Sequence, residues 1–365
     1  MKIGITGLSQ SGKTTIFNAL SGAHAATSEY YHRAEKVQHN ISVVKVPDRR
    51  LDSLYDLMKT EKKINAAIEY VDVAGFIKSS DKSDLKSGEY FGHISKVDVL
   101  MVVIRGFKDE NVIHPEGSID PQRDFEMFNA EILFRDMEVI KNTLKRLNRS
   151  FIKKDDVQGK KEREILERCR EKIEAEIPLR DVDFSIDEEK FLKGFQFLTQ
   201  KPILIVLNIG EDEITAKNRI PDLFEKYIER KNVKGVSICG EIEMELSELE
   251  KDDAEVFMSE YRIDELATNK IINISYDLMG VISFFTFVND ETRAWTIKSG
   301  TKAKKAAGAI HSDIEKGFIR AEVIPIDQLL EHKSIHTCKE KGIMRLEGKD
   351  YIVQDGDVIT FRFNV

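Results

Sequence analysis

The stretch Gly7-Leu8-Ser9-Gln10-Ser11-Gly12-Lys13-Thr14 decides the fold. Before it stands Lys2-Ile3-Gly4-Ile5-Thr6, a short apolar run suited to a buried parallel strand. After it, Thr15-Ile16-Phe17-Asn18-Ala19-Leu20 sets Ile16, Phe17 and Leu20 on one helical face. A strand, a G-x-x-x-x-G-K-[ST] loop and a helix, in that order, form a phosphate-binding loop. Its glycines let the main chain curl, so that successive amide N–H groups converge on an anion at the helix N-terminus. Gln10, Ser11, Gly12, Lys13, Thr14 and Thr15 are therefore predicted to hold the phosphates of a nucleoside triphosphate. Lys13 is placed to reach the β- and γ-phosphates, and the Thr14 hydroxyl to take a position on Mg²⁺.

Working outward, residues 41–47 read as a strand, and Leu51, Leu54, Leu57 and Met58 line one face of a helix. Ala66–Val71 leads as a strand into Asp72-Val73-Ala74-Gly75, a D-x-x-G pattern. Asp72 is expected to hold Mg²⁺ through water. The Gly75 amide is expected to sense the γ-phosphate, because only glycine permits so close a backbone approach. The polar stretches 21–40, with Thr27 and Ser28, and 76–92 stand where nucleotide-switch proteins carry mobile loops. Strands over 97–105, 203–207 and 235–239 continue the sheet.

Residues 122–200 change character. Phe125, Phe128, Ile132, Val139, Ile140, Leu144, Leu147 and Phe151 recur at near-heptad spacing, and Ile165, Leu166, Cys169, Ile173 and Ile177 do the same beyond a polar Lys153–Gly159 turn. That pattern predicts an inserted, coiled-coil-like helical hairpin whose charges face solvent. A hinge then precedes a small α+β unit over 280–365, with strand-like runs at 294–297, 317–323 and 358–363.

The 365 residues, 41% hydrophobic and 33% charged, imply two or three globular domains. A net charge of −8 excludes a protein coated in positive charge but leaves room for a local basic strip, such as Lys302, Lys304 and Lys305 with Arg293 and Lys298, to meet RNA phosphates. Three scattered cysteines make neither a metal-ligand spacing nor a disulfide framework, and no apolar run approaches the roughly 20 residues that span a bilayer. A cytoplasmic monomer without membrane contact is expected.

Asn208-Ile209-Gly210-Glu211 closes a strand where switch proteins read the base. The common form there is N-K-x-D, whose Asp accepts two hydrogen bonds from guanine. With Glu211 in place of Asp and Ile209 in place of Lys, the motif favours ATP over GTP. Asn208 would meet the adenine N6 amine and N7, as it does in DNA readout, and Ile209 would pack on the ring. Phe76 stands where Ras-like enzymes carry the water-orienting Gln, so hydrolysis needs another group, and His114 in the loop after the central strand is the candidate.

With these residues in hand, the chain resembles the Obg-like ATPase (YchF) family of translation-factor-class P-loop NTPases over nearly its whole length. The resemblance rests on Gly7–Thr15, Asn40–Asp48, Asp72–Gly75, Asp109–His114, Asn208–Glu211, Arg293–Ile297, Gly308–Val323 and Leu346–Val365. It implies an α/β fold: a Ras-like P-loop NTPase domain over 1–121 and 201–279, the helical hairpin at 122–200, and a ubiquitin-like TGS domain at 280–365. It also implies Mg²⁺, ATP preference and a ribosome or rRNA partner met through the hairpin and the TGS domain. Departures gather in the moving parts. Lys36 stands where the family's first switch offers a Thr, serines replace glycines in the second switch, Gln10 replaces an Asn, and Cys239-Gly240-Glu241 replaces the S-A-K-like motif under the base. Three functions follow: a ribosome-associated, slowly hydrolysing ATPase, a nucleotide-gated binding module that does not hydrolyse, or an Obg-type GTPase.

Overall fold

A computed structural model of the chain describes residues 1–22, 40–73, 90–150, 157–214, 220–230 and 232–364. The chain divides into two compact units, Met1–Ser42 with Glu69–Ile271 and Val43–Ile68 with Ile272–Val365. In chain order the first elements are β1 (Lys2–Thr6), α1 (Lys13–Ser21), β2 (Asn40–Lys45), α2 (Arg49–Met58), β3 (Lys62–Ile64), β4 (Ala67–Asp72) and β5 (Val99–Arg105). Next come α3 (Pro121–Ser150), α4 (Val157–Glu174), α5 (Ile186–Leu192), β6 (Ile203–Asn208), α6 (Ile220–Ile228), β7 (Val233–Ile238), α7 (Gly240–Glu248), α8 (Lys251–Glu260) and α9 (Ala267–Leu278). The rest comprises β8 (Val281–Val288), β9 (Glu291–Lys298), α10 (Ala303–Ile310), α11 (Ser312–Lys316), β10 (Phe318–Pro325), α12 (Ile326–His332), α13 (Ile335–Glu340), β11 (Arg345–Glu347) and β12 (Asp357–Phe363).

The first sheet has the order β2-β4-β1-β5-β6-β7, with β4, β1, β5, β6 and β7 mutually parallel. Strands β5 and β6 are buried at every position, which is why both read as unbroken apolar runs rather than alternations. β4 lies on one side of β1 and β5 on the other, so the strand order reverses at β1. Ligands of open α/β sheets bind outside the carboxyl end of the strand where this happens, and the loop 7–14 leaves β1 at that end. In α1, Ile16, Phe17 and Leu20 are buried together, as their spacing predicts.

The hairpin differs from its sequence reading in where it begins. Phe125, Phe128 and Ile132, on the first turns of α3, belong to the α/β core with Leu100, Ile203 and Phe224. From Leu133 onward Met137, Ile140 and Leu144 pack with Leu166, Cys169 and Ile173 of α4 in a separate cluster. One helix thus serves two cores, and its apolar stripe passes between them with no break in composition that would mark residue 122 as a border. Val139 and Ile177, assigned to that stripe, are exposed. Gly159, assigned to the turn, lies inside α4; residues 151–156 are outside the described residues.

A buried polar knot fastens the hairpin's base. The Asp136 carboxylate accepts from the Leu198 N–H (3.0 Å), the Thr199 N–H (2.7 Å) and the Thr199 hydroxyl (2.6 Å). The Arg180 Nε donates to the Lys201 carbonyl at 2.8 Å, and the Lys201 Nζ to the Val97 carbonyl at 2.6 Å. Burial pushes the Asp136 carboxyl up to about 6, against the pull of those donors.

The second unit holds a sheet of order β11-β10-β12-β8-β9-β3. It takes in a piece that the sequence reading gave to the nucleotide-binding domain. β3 pairs parallel to β9, Lys62 opposite Glu291 and Ile64 opposite Arg293. Arg50 of α2 reaches across 305 residues of sequence to donate to Asp355 at 2.6 Å while also bonding Asp48. A three-residue strand of two lysines and an isoleucine carries no alternation to read, so its membership was not legible. The division between the units falls inside α9, where the sequence reading expected a hinge before residue 280. The β8–β9 hairpin turns on Asn289 and Asp290, both with positive φ (53° and 59°), as a two-residue primed turn requires. The basic strip expected here is largely answered by neighbours. Lys302 pairs with Asp350 at 2.8 Å, Lys305 with Glu315 at 3.3 Å, and Arg293 with Glu291 at 3.5 Å while stacking on Trp295.

Candidate functional site

The loop between β1 and α1 is fixed by close backbone approaches. Gly7 has φ 134°, and a Cβ there would collide with the Val103 carbonyl oxygen of the neighbouring strand. Gly12 has φ 90°, and a Cβ there would strike the Asn208 side-chain amide. Gln10 is left-handed (φ 62°) without being glycine, and its side chain is exposed. The Thr6 hydroxyl, just before the loop, bonds the Tyr90 hydroxyl.

Lys13 is only 8% exposed and lies back over the loop, its Nζ donating to the Leu8 carbonyl at 2.7 Å. Burial pulls its ammonium down to about 8, with the nearby Asp72 carboxylate opposing. The Thr14 hydroxyl donates to Asp72 Oδ2 at 3.0 Å, so the two groups predicted to serve Mg²⁺ are in contact. A hydroxyl and a carboxylate are the hard oxygen donors this cation prefers, and they fit it. No group of three His, Cys, Asp or Glu side chains assembles among the described residues. The Ser11 hydroxyl is buried in the loop without a hydrogen-bond partner among the described residues. Thr15 is half-buried, in van der Waals reach of Gly240.

At the other end, Asn208 is more committed than the sequence suggests. Its Nδ2 donates to the Ser11 carbonyl at 3.1 Å and its Oδ1 accepts from the Gly240 N–H at 3.0 Å. One amide hydrogen is left for a base, and the group's first role is a strut between the phosphate loop and the start of α7. Ile209 is half-buried and packs against two clusters, the α/β core and the small core of Cys239, Ile242 and Leu246. Glu211 is exposed, with Oε1 accepting from the Tyr261 hydroxyl at 2.7 Å.

Two residues of this corner escaped the sequence reading. Phe107 lies beside Gly12 and Gly210, under the Arg105 guanidinium, which sits 4.5 Å from its ring. Arg105 also donates to the carbonyls of Phe107, Asp109 and Val112 and so holds the whole turn. A half-exposed aromatic directly after a buried strand was the available signal. Tyr261 gave none, being 50 residues from Glu211.

His114 is held fast. Its Nδ1 accepts from the Glu116 N–H at 3.1 Å, which puts the ring proton on Nε2, 3.0 Å from Asp124 Oδ2. Arg123 shares that carboxylate at 2.7 Å. For His114 to serve a γ-phosphate it must swing out of this position, and both ring bonds must break. Gly75 and Phe76, with Thr27, Ser28 and Lys36, lie outside the described residues.

A parallel sheet with this loop at its switch point defines an α/β P-loop NTPase. Residues 2–152 match the 50S ribosome-binding GTPase family, and residues 281–364 match the family described as YchF-GTPase_C. The chain is 39% identical over 364 residues to the "Ribosome-binding ATPase YchF" of Bacillus subtilis (strain 168), covering 99% of both chains. It is 35% identical to the protein of the same name from Escherichia coli O157:H7, covering 100% of this chain and 99% of that one. The solved structure of the Schizosaccharomyces pombe YchF GTPase superimposes with a TM-score of 0.86 at 28% identity, over 99% of this chain and 97% of that one. The chain belongs to the YchF family.

Proposed function

We propose that this chain is a ribosome-associated ATPase that binds ATP·Mg²⁺ in preference to GTP and hydrolyses it slowly. The observation that carries the reading is the Asn208–Ser11 hydrogen bond, which ties the base-reading motif to the phosphate loop. The names of the bacterial relatives support the ribosome as partner and ATP as substrate. A ribosomal partner carries with it a cytoplasmic location, and no described helix is long and apolar enough to cross a membrane. We keep the division into a nucleotide domain, a hairpin insertion and a terminal TGS domain at 280–365 as part of the proposal, acting as a monomer with the hairpin and TGS domain as the ribosome-facing parts.

In this reading Lys13 exchanges the Leu8 carbonyl for the β- and γ-phosphates and is fully charged once it does so. Gln10, Ser11, Gly12 and Thr15 surround the phosphates with the loop's backbone. Thr14 and, through water, Asp72 would hold Mg²⁺, which would supply neutralisation of the phosphate charge. The Gly75 amide meets the γ-phosphate. His114 releases both Asp124 and the Glu116 amide and orients the attacking water. Asn208, Ile209 and Glu211 receive adenine.

Single-turnover cleavage of ATP and GTP, with and without ribosomes, tests this. The expected result is ATP cleavage that ribosomes alter and that Lys13→Ala abolishes; preferential GTP cleavage would overturn the base assignment. One observation favours a second reading, a nucleotide-gated module that holds ATP without cutting it: both ring nitrogens of His114 are already bonded. Tight ATP binding with no cleavage beside ribosomes would select it.

A further inference from the structure

We infer that Tyr261 is a specificity-determining residue of the base corner, holding one oxygen of the Glu211 carboxylate so that the two oxygens do not face the base as an open fork. The inference rests on the base-corner reading above and names what gives that corner its preference.

Tyr261 is rigidly placed. It follows the last residue of α8, and the turn after it closes through Arg262 N–H to the Ser259 carbonyl (3.2 Å) and Ile263 N–H to the Met258 carbonyl (2.8 Å). Arg262 takes the left-handed conformation (φ 54°) that such a helix ending needs. The Tyr261 ring stacks on Phe257 with centroids 4.7 Å apart and 16° between planes. Both rings pack on the small core of Cys239, Ile242 and Leu246, which also takes Ile209. One cluster therefore carries the base motif and the phenol that reaches its carboxylate.

The consequence is a count of donors and acceptors. Guanine presents its N1–H and its N2 amine side by side and needs both oxygens of a carboxylate. Adenine presents one amine on that edge. With one lone pair of Oε1 taken at 2.7 Å by the Tyr261 hydroxyl, Glu211 offers Oε2 freely and Oε1 only through its remaining lone pair. A guanine ring must share Oε1 with the phenol, displace it or leave an N–H unpaired, and poorly paired donors are what make a site reject a near-isostere strongly. The carboxylate's hydrogen bond also raises the hydroxyl above its ordinary range, so it remains a donor at neutral pH.

The test is calorimetry on the full chain and on Tyr261→Phe, with Mg²⁺ and, separately, ATP, GTP and inorganic tripolyphosphate. Phenylalanine keeps the stack on Phe257 and removes only the hydroxyl. The expected result is a fall in the ATP-over-GTP affinity ratio of about tenfold, equivalent to about 1.4 kcal/mol, carried mainly by tighter GTP binding, with tripolyphosphate affinity unchanged. A wild-type preference for ATP that persists unaltered in the variant overturns this inference and leaves the base-corner reading standing. A ratio change accompanied by an equal loss of tripolyphosphate binding also overturns it, because the phenol would then be supporting the loop. Wild-type protein that does not favour ATP overturns the base-corner reading, and the inference with it.

Discussion

The two ends of the nucleotide site are built differently. At the phosphate end, glycine positions dictate the geometry: two positive-φ glycines pressed against Val103 and Asn208, and a buried lysine folded onto Leu8. At the base end side chains set the geometry, the exposed Glu211 held by the hydroxyl of Tyr261 and the half-buried Phe107 by Arg105. A backbone-built site tolerates no side chain at its two positive-φ glycines and reads only phosphate. A side-chain-built site can change preference one contact at a time.

The largest expected effect breaks the phosphate end. Gly12→Ala forces an alanine to φ 90° against the Asn208 amide, so nucleotide affinity should fall more than about 100-fold, or about 3 kcal/mol. Titration with a fluorescent ATP analogue measures it, and near-normal binding would mean the loop has slack that its geometry denies. Next comes Asn208→Ala, which asks to which end this residue belongs. As a strut it leaves the Ser11 carbonyl and Gly240 N–H unpaired, so tripolyphosphate affinity should drop about tenfold along with that of ATP. A loss confined to ATP would make Asn208 purely a base reader.

A pH series sharpens the comparison without mutation. Lys13 in the free protein titrates at about 8, below its ordinary value because burial penalises the ammonium, and bound phosphates favour the charged form. Affinity should therefore be level below about pH 8 and fall above it, with protons taken up on binding in that range. Calorimetry in two buffers of different ionisation enthalpy reads the uptake. The last effect is on stability rather than on affinity and concerns the hairpin. The Asp136 carboxyl is raised from 3.8 to about 6, so its contribution to stability is greatest below about pH 4 and is lost as pH rises to about 6, at most about 3 kcal/mol. Asp136→Asn should lower stability, since an amide nitrogen then replaces one of the two oxygens that accept from the Leu198 and Thr199 N–H groups, yet flatten that slope in urea melts at pH 4.5 and 7.

The difference between the ends also explains what the sequence could reveal. The phosphate loop is local: strand, glycines, lysine and helix are contiguous, and each has a physical need that a reader can recognise. Asp72 was legible because it follows a strand directly. The contacts that tune the base corner join residues 50 and 197 apart in the chain, and no local pattern announces Tyr261–Glu211 or Asn208–Ser11. The same holds for α2 and β3, whose partners Asp355 and β9 lie near the other end of the sequence. The helical spacing of 122–150 was legible, but not that its first turns serve another core, since an apolar stripe carries no mark of what covers it.

The central claim is that the 7–14 loop grips a polyphosphate while residues 208–211 seat adenine. Calorimetric titration of Mg²⁺-loaded protein with ATP, set beside Lys13→Ala, tests it most directly. The account predicts a saturating, one-to-one heat for the wild type and none for the variant. Equal heats from both proteins, or none from either, would contradict it.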